Sequence, residues 1–245
     1  MHLLTQPHIS AHFTCPYLAG ATARFAQFHA AEVTPDELDA LLRSGWRAFG
    51  TYFFRVACPQ CRACIPLRIE VSSFLPSKSQ RRTLRKNADV DFRVVPLCYS
   101  DDVFDIYRDH SLNRFGKEVT RDGFLAGFYT ESCPSFQSEL RIDGALAGLG
   151  FLHQSVEALS SAYFIFRSAQ SERGLGTLSI LREIEYAARA GLRYYYLGYW
   201  VEECRSLAYK SRFGPHQRLD WALGEWLDEH DNPPDTAPHT ENPPQ

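Results

Sequence analysis

Hydrophobic and polar positions recur along residues 76–230 with periods that predict a series of strands and helices. Val90, Phe92 and Val94 alternate with polar residues, which is the two-residue period of a strand. The apolar residues of segment 140–152 are interrupted by Asp143-Gly144, a dipeptide that indicates a tight hairpin. Helices are predicted from Ser77 or Ser79 to about residue 86, after the capping segment at Ser100, and near residues 120–129.

The elements after the hairpin predict the fold class. A strand over Leu159–Arg167 leads into a turn with two glycines, and a helix then runs to Ala190. A further strand, Arg193–Leu197, and a last helix near residues 203–210 complete the series. A hairpin, a glycine turn, a helix and another strand follow in the order of the acetyltransferase-like (GNAT) fold. We therefore predict an α/β (α+β) protein with a GNAT-like domain.

Three regions are expected along the chain. Residues 1–75 form a smaller N-terminal domain that bears cysteines and a short helix capped at Thr34. Residues 76–230 form the GNAT-like transferase domain. Residues 231–245 contain five of the 14 prolines and few apolar residues, so we predict a disordered tail.

Composition narrows the classes of function. The net charge is −3, so any binding of nucleic acid must come from a local basic patch and not from the whole chain. No apolar run approaches the roughly 18 residues that cross a bilayer, and no secretory signal pattern begins the chain. We expect a cytoplasmic protein with no membrane partner, in which clustered thiols stay reduced.

The thiols of Cys58, Cys61 and Cys64 are three residues apart, and Cys15 offers a fourth. Thiols at this spacing are typical of zinc and iron–sulfur sites. Ordinary thiols on a turn would give the same pattern, and the spacing alone leaves both interpretations open.

A cationic run follows the cysteines. Lys78, Arg82 and Lys86 share one helical row and Arg81 and Arg85 another, with no acidic residue between Glu70 and Asp89. Like charges at this spacing repel one another, so the run favours a bound phosphate. A solvated helix face is the alternative.

Two later segments are further candidates for binding. In the turn Arg173-Gly174-Leu175-Gly176, free amides at a helix N-terminus would attract an anion. Acetyltransferases hold coenzyme A at a similar turn, but Ser171 departs from their pattern. Tyr196 and Tyr199 in the aromatic segment could line a cleft, although most of these rings are expected in the core. Lys210 could bind a carboxylate or phosphate, or cap a helix.

Several segments together resemble a known family. They are Cys15-Pro16-Tyr17-Leu18, Gly45-Trp46-Arg47-Ala48-Phe49-Gly50, Cys58-x-x-Cys61-x-x-Cys64, Ser79-Gln80-Arg81-Arg82, Tyr196-Leu197-Gly198-Tyr199-Trp200 and Tyr209-Lys210. In this order they resemble the bacterial aminoacyl-tRNA–protein transferases, in particular the aspartate/glutamate leucyltransferase branch. Eukaryotic relatives are arginyl-tRNA–protein transferases with metal or iron–sulfur sites, but Leu18 stands where their second cysteine would be.

The resemblance implies a reaction. Such an enzyme moves leucine from Leu-tRNA to the α-amine of a protein that begins with Asp or Glu, in the N-degron (N-end rule) pathway. Arginine remains an alternative, because segment 112–130 departs from the leucyl branch. Aminolysis of an ester requires no cofactor. Other classes remain open: an N-acetyltransferase using acetyl-coenzyme A, or a zinc- or RNA-binding module.

The expected site has three parts. Candidates for catalysis are Tyr196, Tyr199 and Lys210. Residues expected to hold tRNA or substrate are Gln80, Arg81, Arg82, Lys86, Arg173, Gly174 and Gly176. Candidate ligands of a zinc ion or iron–sulfur cluster are Cys15, Cys58, Cys61 and Cys64.

Overall fold

The computed structural model describes residues 1–228, and the predicted disordered tail lies outside these residues. The chain folds into two main sheets. The N-terminal sheet contains β1 (His2–Leu3), β2 (His8–Ile9), β5 (Phe25–Glu32), β6 (Arg47–Phe49) and β7 (Tyr52–Val56). The short strands β3 (Phe13–Thr14) and β4 (Thr22–Ala23) pair with each other.

The large sheet has eight strands in the order β15-β14-β8-β13-β12-β11-β10-β9. Their bounds are β8 (Ile65–Glu70), β9 (Asp91–Pro96), β10 (Ser135–Ile142), β11 (Ala145–Gln154), β12 (Ala158–Phe166), β13 (Tyr194–Trp200), β14 (Gln217–Leu219) and β15 (Trp226–Asp228). Only β12 and β13 pair in parallel, and the remaining neighbours are antiparallel. Strand β8 belongs in sequence to the predicted N-terminal region, residues 1–75. In the structure it lies inside this large sheet.

Six α-helices of the described part of the chain flank the sheets. They are α1 (Pro35–Arg43), α2 (Lys78–Lys86), α3 (Asp101–Phe115), α4 (Arg121–Phe128), α5 (Leu175–Arg189) and α6 (Arg205–Ala208). Thr34, Ser77, Ser100 and Thr120 cap the first four, each accepting a hydrogen bond from a backbone amide of the first turn. The predicted α/β class and the GNAT-like order of hairpin, glycine turn, helix and strand are confirmed.

The hairpin of β10 and β11 has the predicted two-residue turn. Asp143 and Gly144 both adopt left-handed backbone angles, with φ of 50° and 79°. A turn with two such residues matches the twist of paired strands, which explains the preference for Asp-Gly at this place.

Helix α5 connects β12 to β13 and covers one face of the sheet. Leu178, Leu181 and Ile184 lie on its buried side. A second core lies between β11 and helices α3 and α4. It contains Val103 and Ile106 of α3, Phe124 of α4, and Leu149 and Phe151 of β11. Strand β11, which lies between these layers, is buried on both faces and is therefore nearly continuous in apolar and small residues.

Among residues 1–228, no helix is both long and apolar enough to span a bilayer.

The core between β11 and helices α3 and α4 gives a stability prediction. Leu149 is 0% exposed there, so Leu149→Ala should lower the free energy of unfolding by about 2–5 kcal/mol through lost contacts and a cavity. Leu112→Ala is the matched control, because Leu112 is 54% exposed and should change stability by no more than about 0.5 kcal/mol. Urea unfolding measures both, and equal losses would contradict this account of the core.

Candidate functional site

The parallel strands β12 and β13 separate part-way along their length. They pair only where Ala158, Leu159 and Ser160 face residues 194–196. Beyond these positions β12 continues beside β11, while β13 continues beside β8. The two backbones therefore leave an opening in the middle of the sheet.

Arg47 reaches this opening from the N-terminal sheet. Its Nη1 donates a hydrogen bond to Ser160 Oγ at 2.8 Å, and its Nη2 donates to the carbonyl of Ser161. Ser160 is the last residue of β12 that pairs with β13, and Ser161 is the first that pairs with β11 alone. Burial lowers the pKa of Arg47, while nearby tyrosines, Tyr199 first among them, act in the opposite direction.

Lys210 approaches the same place from the short helix after α6. A Cβ atom added at Gly198 would lie 3.2 Å from Lys210 Nζ and 3.2 Å from Arg47 Nη2. Gly198 also has a left-handed φ of 84°, at an irregularity in the pairing of β13 with β8. A side chain at this position would press on both cations and would strain the left-handed backbone, so glycine is favoured there.

The two cations lie close together with little to balance them. Burial first, and the positive charge of Arg47 next, lower the pKa of Lys210 to about 7. Within residues 1–228, tyrosines act electrostatically on Arg47, and Arg47 and Cys204 act on Lys210, with no carboxylate among these groups. An anion that entered the opening would therefore be attracted strongly.

Tyr199 and Tyr196, both predicted as cleft residues, have different surroundings. The Tyr199 hydroxyl donates to the carbonyl of Gly45 at 3.0 Å and accepts from the amide of Val56 at 3.3 Å, beside Arg47. Burial raises the pKa of Tyr199. The Tyr196 ring packs in the core between the sheets, and its hydroxyl accepts from Arg68 at 3.4 Å. Tyr199 thus borders the cationic opening, while Tyr196 serves packing.

The predicted basic helix forms as α2, but its members differ in accessibility. Gln80 is buried, completes the cap with Ser77 and donates from its amide to the carbonyl of Arg212 at 3.1 Å. Arg81 donates to the carbonyl of Pro76 at 2.5 Å. Arg82 is exposed, as are Lys78 and Arg85. Gln80 therefore holds α2 in place, and the exposed cations face solvent.

The turn before α5 lies next to α2. Lys86 Nζ donates to the carbonyl of Glu172 at 2.6 Å, and Arg173 forms two hydrogen bonds with the carboxylate of Asp89, at 3.0 and 2.8 Å. Gly174 has a left-handed φ of 71°, and Gly176 lies in the first turn of α5. The predicted glycine turn and the basic helix thus adjoin, although Arg173 is neutralised by Asp89.

Comparison with known proteins identifies the family. Residues 13–82 match the family described as arginine-tRNA-protein transferase, N terminus, and residues 101–220 match its C terminus. The aspartate/glutamate leucyltransferase of Marinobacter nauticus is 35% identical over 223 residues, which cover 88% of this chain and 91% of that protein. The chain belongs to the arginine-tRNA-protein transferase family. The resemblance inferred from the sequence motifs is confirmed.

Further relatives of this transferase agree. The aspartate/glutamate leucyltransferase of Thiobacillus denitrificans is 34% identical over 231 residues, 90% of this chain and 93% of that protein. Among solved structures, a GCN5-related N-acetyltransferase from Kribbella flavida covers 56% of this chain, and this chain covers 54% of it, at 15% identity and a TM-score of 0.34. The fold assignment rests on the element order described above.

The cysteines of the transferase lie near one another without forming a metal site. Burial first, and then the neighbouring thiols of Cys15, Cys61, Cys58 and Cys204, raise the pKa of Cys64 to about 12. Among residues 1–228, no group of three or more Cys, His, Asp or Glu side chains is arranged to hold a metal ion. The arrangement does not fit zinc or an iron–sulfur cluster, so no chemical step below passes through one.

The sequence did not reveal the role of Arg47. It lies in the Gly45–Gly50 motif, but 163 positions separate it from Lys210, and no periodic pattern relates the two. Ser160 and Ser161 are likewise unremarkable in sequence. The only available signal was an arginine within a segment of otherwise buried apolar strand.

Lys210 gives the transferase a pH-dependent stability. Its pKa falls from 10.5 to about 7 on folding, so the unfolded chain binds more protons between these values and stability rises with pH across that window. Lys210→Met should be more stable than the parent by on the order of 1–3 kcal/mol at about pH 6, after allowance for partial exposure. Urea unfolding should show this advantage shrinking as the pH is raised toward 10.5. Lys117→Met, on an exposed loop, is the control, and a pH-independent advantage for Lys210→Met would refute the prediction.

Proposed function

We propose that this chain transfers leucine from Leu-tRNA to the α-amine of proteins that begin with Asp or Glu, marking them for degradation by the N-degron pathway. The observation that carries the proposal is the pair of cations, Arg47 and Lys210, at the opening between β12 and β13. Its membership of the transferase family and its relatives named aspartate/glutamate leucyltransferase support the same reaction.

The acidic side chain of the acceptor fits the cationic pair. A carboxylate can accept hydrogen bonds from the guanidinium of Arg47 and from the ammonium of Lys210 at once. Its charge would raise the depressed pKa of Lys210 and so keep that group protonated. An amide side chain such as Asn gives the pair no compensating charge. An Asn acceptor would leave both cations without a compensating charge. The site should therefore prefer Asp to Asn.

The same charges favour leucine over arginine as the transferred residue. An arginyl side chain at this opening would meet Arg47 and Lys210, and no carboxylate of the described chain acts on either of them. Like charges this close are repulsive. The aromatic rings of Phe49 and Tyr163 lie 6.4 Å apart near the opening and offer an apolar surface instead. An uncharged, apolar aminoacyl group is therefore the compatible donor.

The tRNA is expected on the exposed cations of α2 and at the N-terminus of α5. Lys78, Arg82 and Arg85 face solvent on one helix, where paired hydrogen bonds to phosphates are accessible. The first amides of α5, at Leu175 and Gly176, receive no side-chain cap, and they add the positive end of the helix dipole. Lys86 and Arg173 hold this turn in place through Glu172 and Asp89.

The chemistry is aminolysis of an ester. The α-amine of the acceptor attacks the leucyl carbonyl carbon, a new amide C–N bond forms, and the ester C–O bond to the tRNA breaks. The proton lost by nitrogen replaces the leucyl group on the tRNA hydroxyl. Cations beside the bound acceptor disfavour the ammonium form of its α-amine, which raises the fraction of neutral nucleophile. Positioning of the amine against the ester supplies the rest of the rate acceleration, and the reaction needs no cofactor. Because its donor is an aminoacyl-tRNA, the enzyme would act in the cytoplasm.

A matrix of donors and acceptors tests the proposal. Labelled Leu-tRNA and Arg-tRNA are each offered to peptides that differ only in an N-terminal Asp, Glu, Asn or Ala. We expect label from Leu-tRNA on Asp and Glu peptides, and kcat/KM for Asp about 100-fold lower in Lys210→Met, with little change for Asn. Lys117→Met is the matched control. Equal labelling of Asn and Asp by the parent, or transfer of arginine alone, would refute the assignment.

The role of α2 is tested by salt dependence. Arg82→Ala should raise the KM for Leu-tRNA by about 3–10-fold and reduce the slope of log KM against log salt by about 0.7–0.9, because one phosphate contact is lost. The KM for the Asp peptide should not change. Arg108→Ala on α3 is the control, since Arg108 is exposed and already paired with Asp105. An unchanged salt slope in Arg82→Ala would exclude α2 as the tRNA surface.

A further inference from the structure

A closed network of hydroxyl groups lies where β12 and β13 begin to separate. The carboxyl of Glu183, on α5, is 0% exposed, and its Oε1 accepts from Ser138 Oγ at 2.8 Å and Ser179 Oγ at 2.5 Å. Its Oε2 accepts from the hydroxyl of Tyr195 at 2.6 Å. The side chain of Ser161 is hydrogen-bonded to the same carboxyl. Groups from α5, β10, β12 and β13 therefore converge on one buried acid.

Burying the carboxyl of Glu183 is unfavourable, and the neighbouring residues leave space for it. Burial raises the pKa of Glu183, and the four hydroxyl hydrogen bonds act against that shift. On β11, a Cβ atom at Gly150 would lie 2.4 Å from Ser138 Oγ and 2.7 Å from Glu183 Oε1, so a side chain there would displace the network. An apolar side chain in place of the acid would avoid the desolvation of a carboxyl. Packing alone therefore does not explain the presence of a carboxyl at Glu183.

Ser161 links this network to the cationic opening. Its side chain bonds to Glu183, and its backbone carbonyl accepts from Arg47 Nη2. Tyr195, the other partner of Glu183 at this level of the sheet, also acts electrostatically on Arg47. Glu183 and Arg47 therefore hold the same residue of β12, at the first position where it no longer pairs with β13.

We infer that Glu183 is a positioning residue for the acceptor: it holds Ser161 and Tyr195, and through Ser161 it sets the orientation in which Arg47 meets the acidic side chain. This inference rests on the proposed function of the Arg47–Lys210 pair. Glu183 touches neither the acceptor nor the tRNA. Its contribution is confined to the discrimination of acidic from neutral acceptors.

The test compares Glu183→Gln with Glu185→Gln. Both lie on α5, but Glu185 is 41% exposed and pairs with Arg182. Glutamine keeps the shape of Glu183 but cannot accept all four hydroxyl hydrogens. We expect the KM for an Asp peptide to rise about tenfold in Glu183→Gln and the Asp-over-Asn preference to fall by a similar factor, with the KM for Leu-tRNA unchanged. Glu185→Gln should match the parent.

Tyr195→Phe keeps the test decisive if Glu183→Gln fails to fold. It removes one hydroxyl donor to Glu183 and retains the ring, so the Asp-over-Asn preference should fall in the same direction by a smaller factor. The inference is overturned if either folded variant keeps the parent's preference, or if it loses activity equally on Asp and Asn peptides while the KM for Leu-tRNA also rises. A parent enzyme without any preference for Asp would instead refute the proposed function.

Discussion

The structure depends on one interaction between its two sheets, the contact of Arg47 with β12 at the point where the parallel pairing ends. A strand that leaves its partner exposes backbone groups that must find other hydrogen bonds. The guanidinium of Arg47 meets that need at the carbonyl of Ser161. In doing so it brings a positive charge into the middle of the sheet. The N-terminal sheet is thus part of the site and not only an attachment to the transferase fold.

The charges of the molecule fall into two classes that suit two substrates. Arg47 and Lys210 are partly buried and lie against Gly198, where charge interactions are strong and geometry is fixed. The cations of α2 are exposed and separate, as suits a long anionic backbone that is held mainly by salt-sensitive attraction. A single carboxylate requires the first arrangement and a tRNA the second. The net charge of −3 keeps both attractions local.

The sequence predicted the elements that depend on neighbouring residues. The Asp143-Gly144 hairpin, the cap at Ser100 and the glycine turn before α5 are decided by local backbone chemistry and were predicted, and the structure selects Ser77 from the two serines predicted to cap α2. The pairing of Arg47 with Lys210 could not be, because it depends on the junction of two sheets. Gln80 shows the same difficulty: it stands within a cationic motif, yet it is buried and caps α2. Only the tertiary structure shows whether a residue such as Gln80 is available to contact a substrate or holds a helix in place.

The thiols lie close to the cationic opening, because Cys204 acts electrostatically on Lys210. Cys64 and Cys204 lie near the same aromatic and cationic groups as Tyr17, and the pKa of Tyr17 is raised to about 12 by burial first and by Cys64 next. Burial raises the pKa of the Cys64 thiol to about 12, so this thiol stays uncharged and packs with the apolar residues beside Tyr199. The aminoacyl ester is already an activated acyl donor. An acceptor site therefore needs only fixed positive charge and precise placement of the amine.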